Sequence, residues 1–460
     1  AGKLTANLAN AGTLSIDGSG DNLYAGELTG DGALLKQGTG KLVLTGNGKG
    51  FAGATTISGG EMLLTGSLGG SVFIDTAGTL QVGVAVISVD LTASTTNNGR
   101  MIFDQIGDYD YTGALAGNGG LIKRGAGTLL LSGQYDYKGS TVIEGGLVRL
   151  TSQLDKETDL VIDKGTFDLS DKKQEVAGLS GTSGAVTLGK TGELTVNQTT
   201  DTSFGGSIEG SGVFTKAGRG VLNLTGNSSF SGLAETERGL LKVNGLLETA
   251  FFTVHEDGLL GGVGTIGGLR VTGGGIVGPG NSIGTLNVAG NVTFDAGSIY
   301  TVEVDAAGNS DKIVATGTAQ INGGTVSVLG ALGNYRWSSD YVILTAAGGV
   351  NGRFGGADVN LPFLDPVLSY GPTAVTLTLN RNDRTFESVA RTRNQRAVAV
   401  ALDVGSHANG LYRAVSAQTA EAGAVQAFDA LSGELWGTTG TVVIEQSRRI
   451  GDLGIGRLQQ

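Results

Sequence analysis

Three stretches decide the fold. Residues 38–64 read GTGKLVLTGNGKGFAGATTISGGEMLL, residues 125–150 read GAGTLLLSGQYDYKGSTVIEGGLVRL, and residues 218–243 read GRGVLNLTGNSSFSGLAETERGLLKV. In register they share Gly38, Gly125 and Gly218, then Gly40, Gly127 and Gly220. Leu42, Leu129 and Leu222 follow, with Leu44, Leu131 and Leu224 two positions on. An aromatic comes next (Phe51, Tyr137, Phe230), then Gly53, Gly139 and Gly232, and each copy closes on a glycine and a second apolar alternation. A lysine stands just upstream of each copy, at Lys36, Lys123 and Lys216. Apolar residues at every second position mark a half-buried strand, and glycines between them mark turns at positive φ. Leu42 to Met62 spans 20 positions, and Leu129 to Val148 and Leu222 to Leu241 span 19. A coil of about 20 residues that brings the alternation back to one place is what a β-solenoid needs. The expectation is an all-β, right-handed parallel β-helix of roughly 15 coils, a rod on the order of 70 Å, with a C-terminal β cap and a short helical tail. A sandwich or closed barrel would not account for a repeat of whole coils.

Composition agrees. The chain has 460 residues with 83 glycines, 4 prolines, 2 histidines and no cysteine. Scarce proline and the absence of a glycine triplet period exclude collagen. Apolar content of 39% argues for a packed core. Without cysteine there are no disulfides or thiolate metal sites. The net charge of −11 argues against nucleic acid as a partner. No apolar run approaches the 18 residues of a membrane-spanning helix. The first residues carry no signal-peptide pattern, as expected of a mature chain or of a piece cut from a longer one.

The three copies resemble the passenger-associated transport repeat of autotransporters, the type V secreted proteins of Gram-negative bacteria. The third copy departs from that pattern at Ala234 and Thr236, which predicts a less regular coil there. Gly278-Pro279-Gly280-Asn281-Ser282-Ile283-Gly284-Thr285 is similar to the turn that opens the last coils of such passengers. The segment that follows resembles a pertactin-type autochaperone region. The resemblance implies a cap that promotes folding and secretion, with Asp311, Ile313, Gly324, Trp337, Tyr341, Gly349 and Phe354 among its residues and Trp337 as an anchor. Asn394–Ala399 and Ala427–Glu434 resemble the linker before the translocating barrel. The expected organisation is a β-helix over 1–277, with repeats near 24–68, 111–154 and 204–248. Last coils and cap follow over 278–380, and a helical linker over 381–460. No run of ten-residue alternating strands within the chain reads as the barrel itself.

The change at residue 381 is also compositional. All 14 lysines lie at or before Lys312, and the basic residues after Leu379 are arginines. Val398, Ala401 and Leu402, then Leu411 and Val415, then Val425, Phe428 and Leu431, step by three and four as in amphipathic helices. Such a segment leads into the barrel pore in the family, where Arg448, Arg449 and Arg457 suit a polar lumen; a loosely ordered surface tail is the other reading.

Three enzyme motifs occur without their structural context. Gly184–Thr191 satisfies the phosphate-loop pattern, but its inner residues are strand-like and Glu193–Val196 continues as strand. Gly262–Gly267 fits the dinucleotide fingerprint with no helix after it, and Gly280–Gly284 fits the nucleophile elbow around Ser282. His255 reads as a solvated turn histidine. Asp108 and Asp110 lack the further oxygens of a calcium loop. Tyr24 and Tyr111 read as aromatics shielding a corner. No catalytic, cofactor or metal residue is therefore expected, and the protein is not expected to be an enzyme. The implied function is a secreted or cell-surface passenger acting in adhesion or autoaggregation, attached to the Gram-negative outer membrane. Its partners would be its own barrel, a second rod, or a host cell or matrix surface, and irregular stretches such as Thr92–Asn98 and Asn197–Ser203 are candidate contacts. A stalk carrying an N-terminal enzyme or toxin domain is the alternative.

Overall fold

A computed structural model of the chain describes residues 2–84, 89–433 and 443–448. It is about 49% strand and 9% helix, a parallel β-solenoid of about 15 turns followed by a few helices. The sequence-derived coil is the observed one: Leu42 pairs with Met62, Leu129 with Val148 and Leu222 with Leu241 in parallel register.

The coils build three faces. One runs through ten strands from Gly2–Leu4 to Gly178–Ser180 and continues, through the Gly181–Phe204 bridge, as eight strands ending at Gly356–Val359. A second begins at Thr13–Ile16 and runs to Tyr135–Tyr137. It resumes at Lys173–Val176, with Leu154 and Gln174 bonded backbone to side chain between the two parts. The third is built of shorter strands, the longest series running from Tyr109–Tyr111 to Ser207–Glu209. Inward leucine, valine and isoleucine from every coil merge into one continuous core. Parallel sheets are stable only when their apolar face is covered, and here the other two faces cover each one.

The repeat does not return to the same corner each time. Gly38 and Gly218 lie 180 positions apart, nine coils on the same face, whereas Gly125 lies 87 after Gly38. Copies one and three therefore occupy equivalent corners, and copy two sits one corner round. The third copy is also regular, contrary to the expectation from Ala234 and Thr236. Leu233–Thr236 pairs in unbroken register with the coils on both sides, because alanine and threonine are small enough to sit inward at that place. The accommodation leaves the buried Thr236 hydroxyl without a hydrogen-bond partner.

Coil length grows towards the C-terminus, with register steps of 23, 27 and 31 residues from Leu269 to Val292, Ala319 and Val350. The stack ends in antiparallel pairing, Ser338–Ala346 with Ala374–Arg381 and that strand with Leu364–Tyr370. The outer strand carries Pro366, which cannot donate to a further strand.

The tail is a packed unit. Helices α1 (Arg393–Asp403), α2 (Gly410–Ser416) and α3 (Glu421–Ser432) enclose a second core of Phe386, Val389, Ala399, Tyr412, Val415, Ala424 and Phe428, joined by Phe363 from the cap. Thr392 and Gln395 form a reciprocal capping box that starts α1. Arg448 is exposed, and Arg449 and Arg457 lie outside the described residues.

Candidate functional site

The most distinctive chemistry lies at the three repeat corners. Lys36, Lys123 and Lys216 occupy inward strand positions and are at most 1% exposed. Each ammonium is surrounded by carbonyl oxygens. Lys36 Nζ donates to Gln37 (2.7 Å), Gly38 (3.1 Å) and Gly59 (3.1 Å). Lys216 Nζ donates to Ala217 (2.7 Å), Gly218 (3.0 Å) and Arg238 (3.1 Å). Lys123 Nζ donates to Arg124, to Gly125 (2.8 Å) and to Gly145 (3.5 Å). Three N–H donors meet three acceptors, and the third acceptor always comes from the following coil. The lysine thus clamps one corner to the next.

The corner glycines make this possible. Gly38, Gly125 and Gly218 have φ of +68°, +65° and +75°, and Gly60, Gly146 and Gly239 have +65°, +68° and +69°. These left-handed turns point their carbonyls inward at the ammonium, a conformation other residues adopt only with strain. Burial pushes the Lys123 and Lys216 amines down to about 8, against the opposing pull of Asp104 and Asp201, and lowers Lys36 in the same way against Asp17.

A second element of the corner lies outside the aligned copies. Asp21, Asp108 and Asp201 each accept a hydrogen bond from the backbone N–H twenty positions ahead, at Lys41 (3.2 Å), Thr128 (2.9 Å) and Val221 (2.9 Å). The three carboxylates cap the first strand after the glycine turn. Their spacing of 87 and 93 equals that of the copies, so the signal is present in the sequence one coil upstream of each.

The cap residues play several parts. Asp311, 2% exposed, accepts from Gly284 N–H (2.8 Å) and Glu303 N–H (2.9 Å), stapling the Gly280–Thr285 turn to the strand Ile299–Val304. Burial raises its carboxyl to about 7 although both N–H bonds oppose the shift. Ile313 is buried between Leu286 and Leu344 in register. Tyr341 donates to Asp305 O (2.7 Å), and Phe354 packs on Phe294 and Tyr300 with centroids at 5.0 and 6.2 Å. Gly324 and Gly349 turn at φ +85° and +106°. Trp337 is 54% exposed, with its ring against His407 of the helical unit at 4.6 Å.

The enzyme-like motifs have other uses. The backbone N–H groups of Lys190 and Thr191, which a phosphate would need, donate to Asp171 at 2.5 and 2.9 Å, so a carboxylate of this chain sits in the anion's place. Gly262–Gly267 joins strand Gly258–Gly262 to strand Thr265–Val271. Ser282 lies in an exposed turn, while His255 faces Glu235 at 3.2 Å and His407 stacks on Trp337 and Tyr412. Asp110 bonds Ser132. Tyr24 and Tyr111 are core residues, Tyr111 packing on Phe103 at 5.3 Å. In Thr92–Asn98 and Asn197–Ser203 the irregularity is inward: Asn97 and Gln198 are fully buried and bonded to backbone carbonyls. Among the described residues no three His, Cys, Asp or Glu side chains gather as a metal site would require.

The fold and its repeated corners define a parallel β-solenoid punctuated by a recurring lysine clamp. The family pattern described as Passenger-associated-transport-repeat matches residues 34–64, 121–150 and 214–236, the three clamped corners. The chain is similar to an extracellular serine protease of Serratia marcescens, 37% identical over 215 residues, which is 44% of this chain and 20% of the protease. A second extracellular serine protease of that organism is 32% identical over 211 residues, with the same shares. An autotransporter described as adhesin BmaC, from Brucella suis biovar 1 (strain 1330), is 29% identical over 270 residues, half of this chain and 8% of the adhesin. The chain carries the passenger repeat of autotransporters in three copies. It spans a fifth of the proteases and less than a tenth of the adhesin.

Proposed function

We propose that this chain is the folding and display part of an autotransporter passenger, and that its rod acts at the bacterial surface as an adhesin or autoaggregation factor. The observation that carries the reading is the parallel solenoid of about 15 turns, joined to passenger repeats and to a relative named as an adhesin that matches half the chain. A rod of about 15 coils offers many equivalent side positions, and weak contacts repeated along it multiply into avidity. The last coils and cap from 278 to 380 serve as the autochaperone. Its antiparallel end gives the stack a template on which nearest-neighbour coil interfaces add in turn. The helical unit leads towards an outer-membrane barrel, the partner through which the passenger is exported.

A second reading is favoured by the Serratia proteases, of which this chain resembles only a fifth. There the rod is the stalk of a longer passenger whose activity resides elsewhere. A mixed-cell assay separates the two. One labelled population displays the passenger and another does not, and settling and clump composition are scored. Clumps of displaying cells alone support self-association, and mixed clumps support a heterologous ligand. Surface display without clumping or binding eliminates the adhesin reading and leaves the stalk.

A further inference from the structure

Where the cap meets the helical unit there is a cavity of about 160 Å³ that neither the repeats nor the fold requires. Its charge is out of keeping with the chain. Arg336, Arg381, Arg413 and His407 line it and no carboxylate does, in a protein of net charge −11. Nearby arginines have acidic partners, Arg384 with Glu421 and Arg396 with Glu387. The cavity arginines lack them. Among the described residues Arg336 makes no hydrogen bond or ion pair, and Arg413 makes one long bond to His407 O (3.4 Å). Arg381 donates to neutral acceptors on Phe363, Asn382 and Arg384, and its Nε is buried without a partner. The wall is aromatic: Trp337 is half-exposed against His407, and His407 lies against Tyr412, both pairs at 4.6 Å between centroids.

Guanidinium groups without an acidic partner favour a carboxylate, and an exposed indole favours the flat apolar face of a ring. A small concave site with few polar groups placed at one side binds one compact molecule in one orientation. We propose that this cavity binds a compact ring carboxylate, with its anion on Arg336 and Arg413 and its ring on Trp337. An acidic sugar unit and a free aromatic acid both present that chemistry. The proposal holds whether the rod is an adhesin or a stalk.

The test uses the whole chain titrated with glucuronate, benzoate, glucose and acetate at constant ionic strength. Binding is followed by calorimetry and by the Trp337 indole N–H resonance, assigned with W337F. At least one ring carboxylate is expected to saturate with a dissociation constant on the order of 1 mM. Glucose and acetate, each with half of the recognised chemistry, should bind at least about tenfold more weakly. R336Q should weaken binding about fivefold or more without moving the unfolding midpoint, since its side chain is exposed and makes no hydrogen bond or ion pair among the described residues; W337A should weaken it as much, and R413Q repeats the test from the helical side. Saturation by glucuronate alone identifies a sugar source, and by benzoate alone an aromatic acid. No saturation by either up to about 50 mM, acetate binding as well as both, or unchanged affinity in all three variants overturns the proposal.

Discussion

Replacing Lys123 by methionine keeps the length of the side chain and removes its donors. Three carbonyl oxygens, on Arg124, Gly125 and Gly145, then lose an ammonium partner. Hydrogen bonds to a charged group contribute about 2 kcal/mol each, so about 6 kcal/mol is lost. Against this, the variant no longer buries a charge. Lowering the amine from 10.5 to about 8 corresponds to about 3 kcal/mol at neutral pH, which methionine recovers. The net expectation is a destabilisation of about 3 kcal/mol, local to the corner because a solenoid's coils interact with nearest neighbours. Hydrogen exchange reads it directly. Amides in Gly120–Arg124 and Thr128–Leu131 should lose about 3 kcal/mol of protection while those in Lys312–Ala315 keep theirs. Unchanged protection at the corner would refute the reasoning, since the clamp would then contribute no more than the cost of burying it.

Because burial holds Lys123 and Lys216 near 8 in the fold and they return towards 10.5 when unfolded, the unfolded chain binds more protons between these values. The contribution of these two lysines should therefore rise as pH increases from 8 to 10.5, read as the difference in urea unfolding between the native chain and the double methionine variant; buried tyrosines, raised by burial, act in the opposite sense and are common to both. Asp311 behaves oppositely, its carboxyl raised to about 7: the stability it adds is full below about 4 and declines as pH rises towards 7, a trend that D311N should abolish in the exchange of Gly284 and Glu303 amides. Thr236→Val removes a buried hydroxyl with no partner and should stabilise its coil by about 1 kcal/mol, seen as slower exchange in Leu233–Thr236. Gly125→Ala places a Cβ 2.3 Å from Gln105 O at φ +65° and should cost about 3 kcal/mol or more, read as a lowered urea midpoint.

Much of the architecture was legible from short-range pattern. Leu42 with Leu44 and Met62 with Leu64 step by two in the same phase after a glycine turn, and a coil is the shortest path that stacks them, so their register is readable from spacing alone. The helices of the tail followed from the change to three- and four-residue steps, although their packing into a core with Phe363 did not. The recurring lysines were visible as a pattern but not as a site. Lys36 stands two positions from Leu34, on the face the alternation turns inward, but the pattern supplies no partner for a buried ammonium; only the inward turn of three carbonyls makes it a core residue. Asp21, Asp108 and Asp201 lay one coil outside the aligned window.

The sequence alone determined what depends on local geometry: a two-residue alternation makes strands, glycine at fixed places makes corners, and a period near 20 stacks coils in parallel. What depends on distance through space was decided by the tertiary structure. Whether Gly125 falls on the same corner as Gly38 depends on how 87 residues divide among coils of slightly unequal length, a sum over every intervening turn. The filling of the anion-sized turn at Lys190 by Asp171, and the gathering of Arg336, Arg381 and Arg413 around one cavity, join residues from different coils or elements. No periodicity within either segment records such a meeting, because it exists only once the coils have stacked.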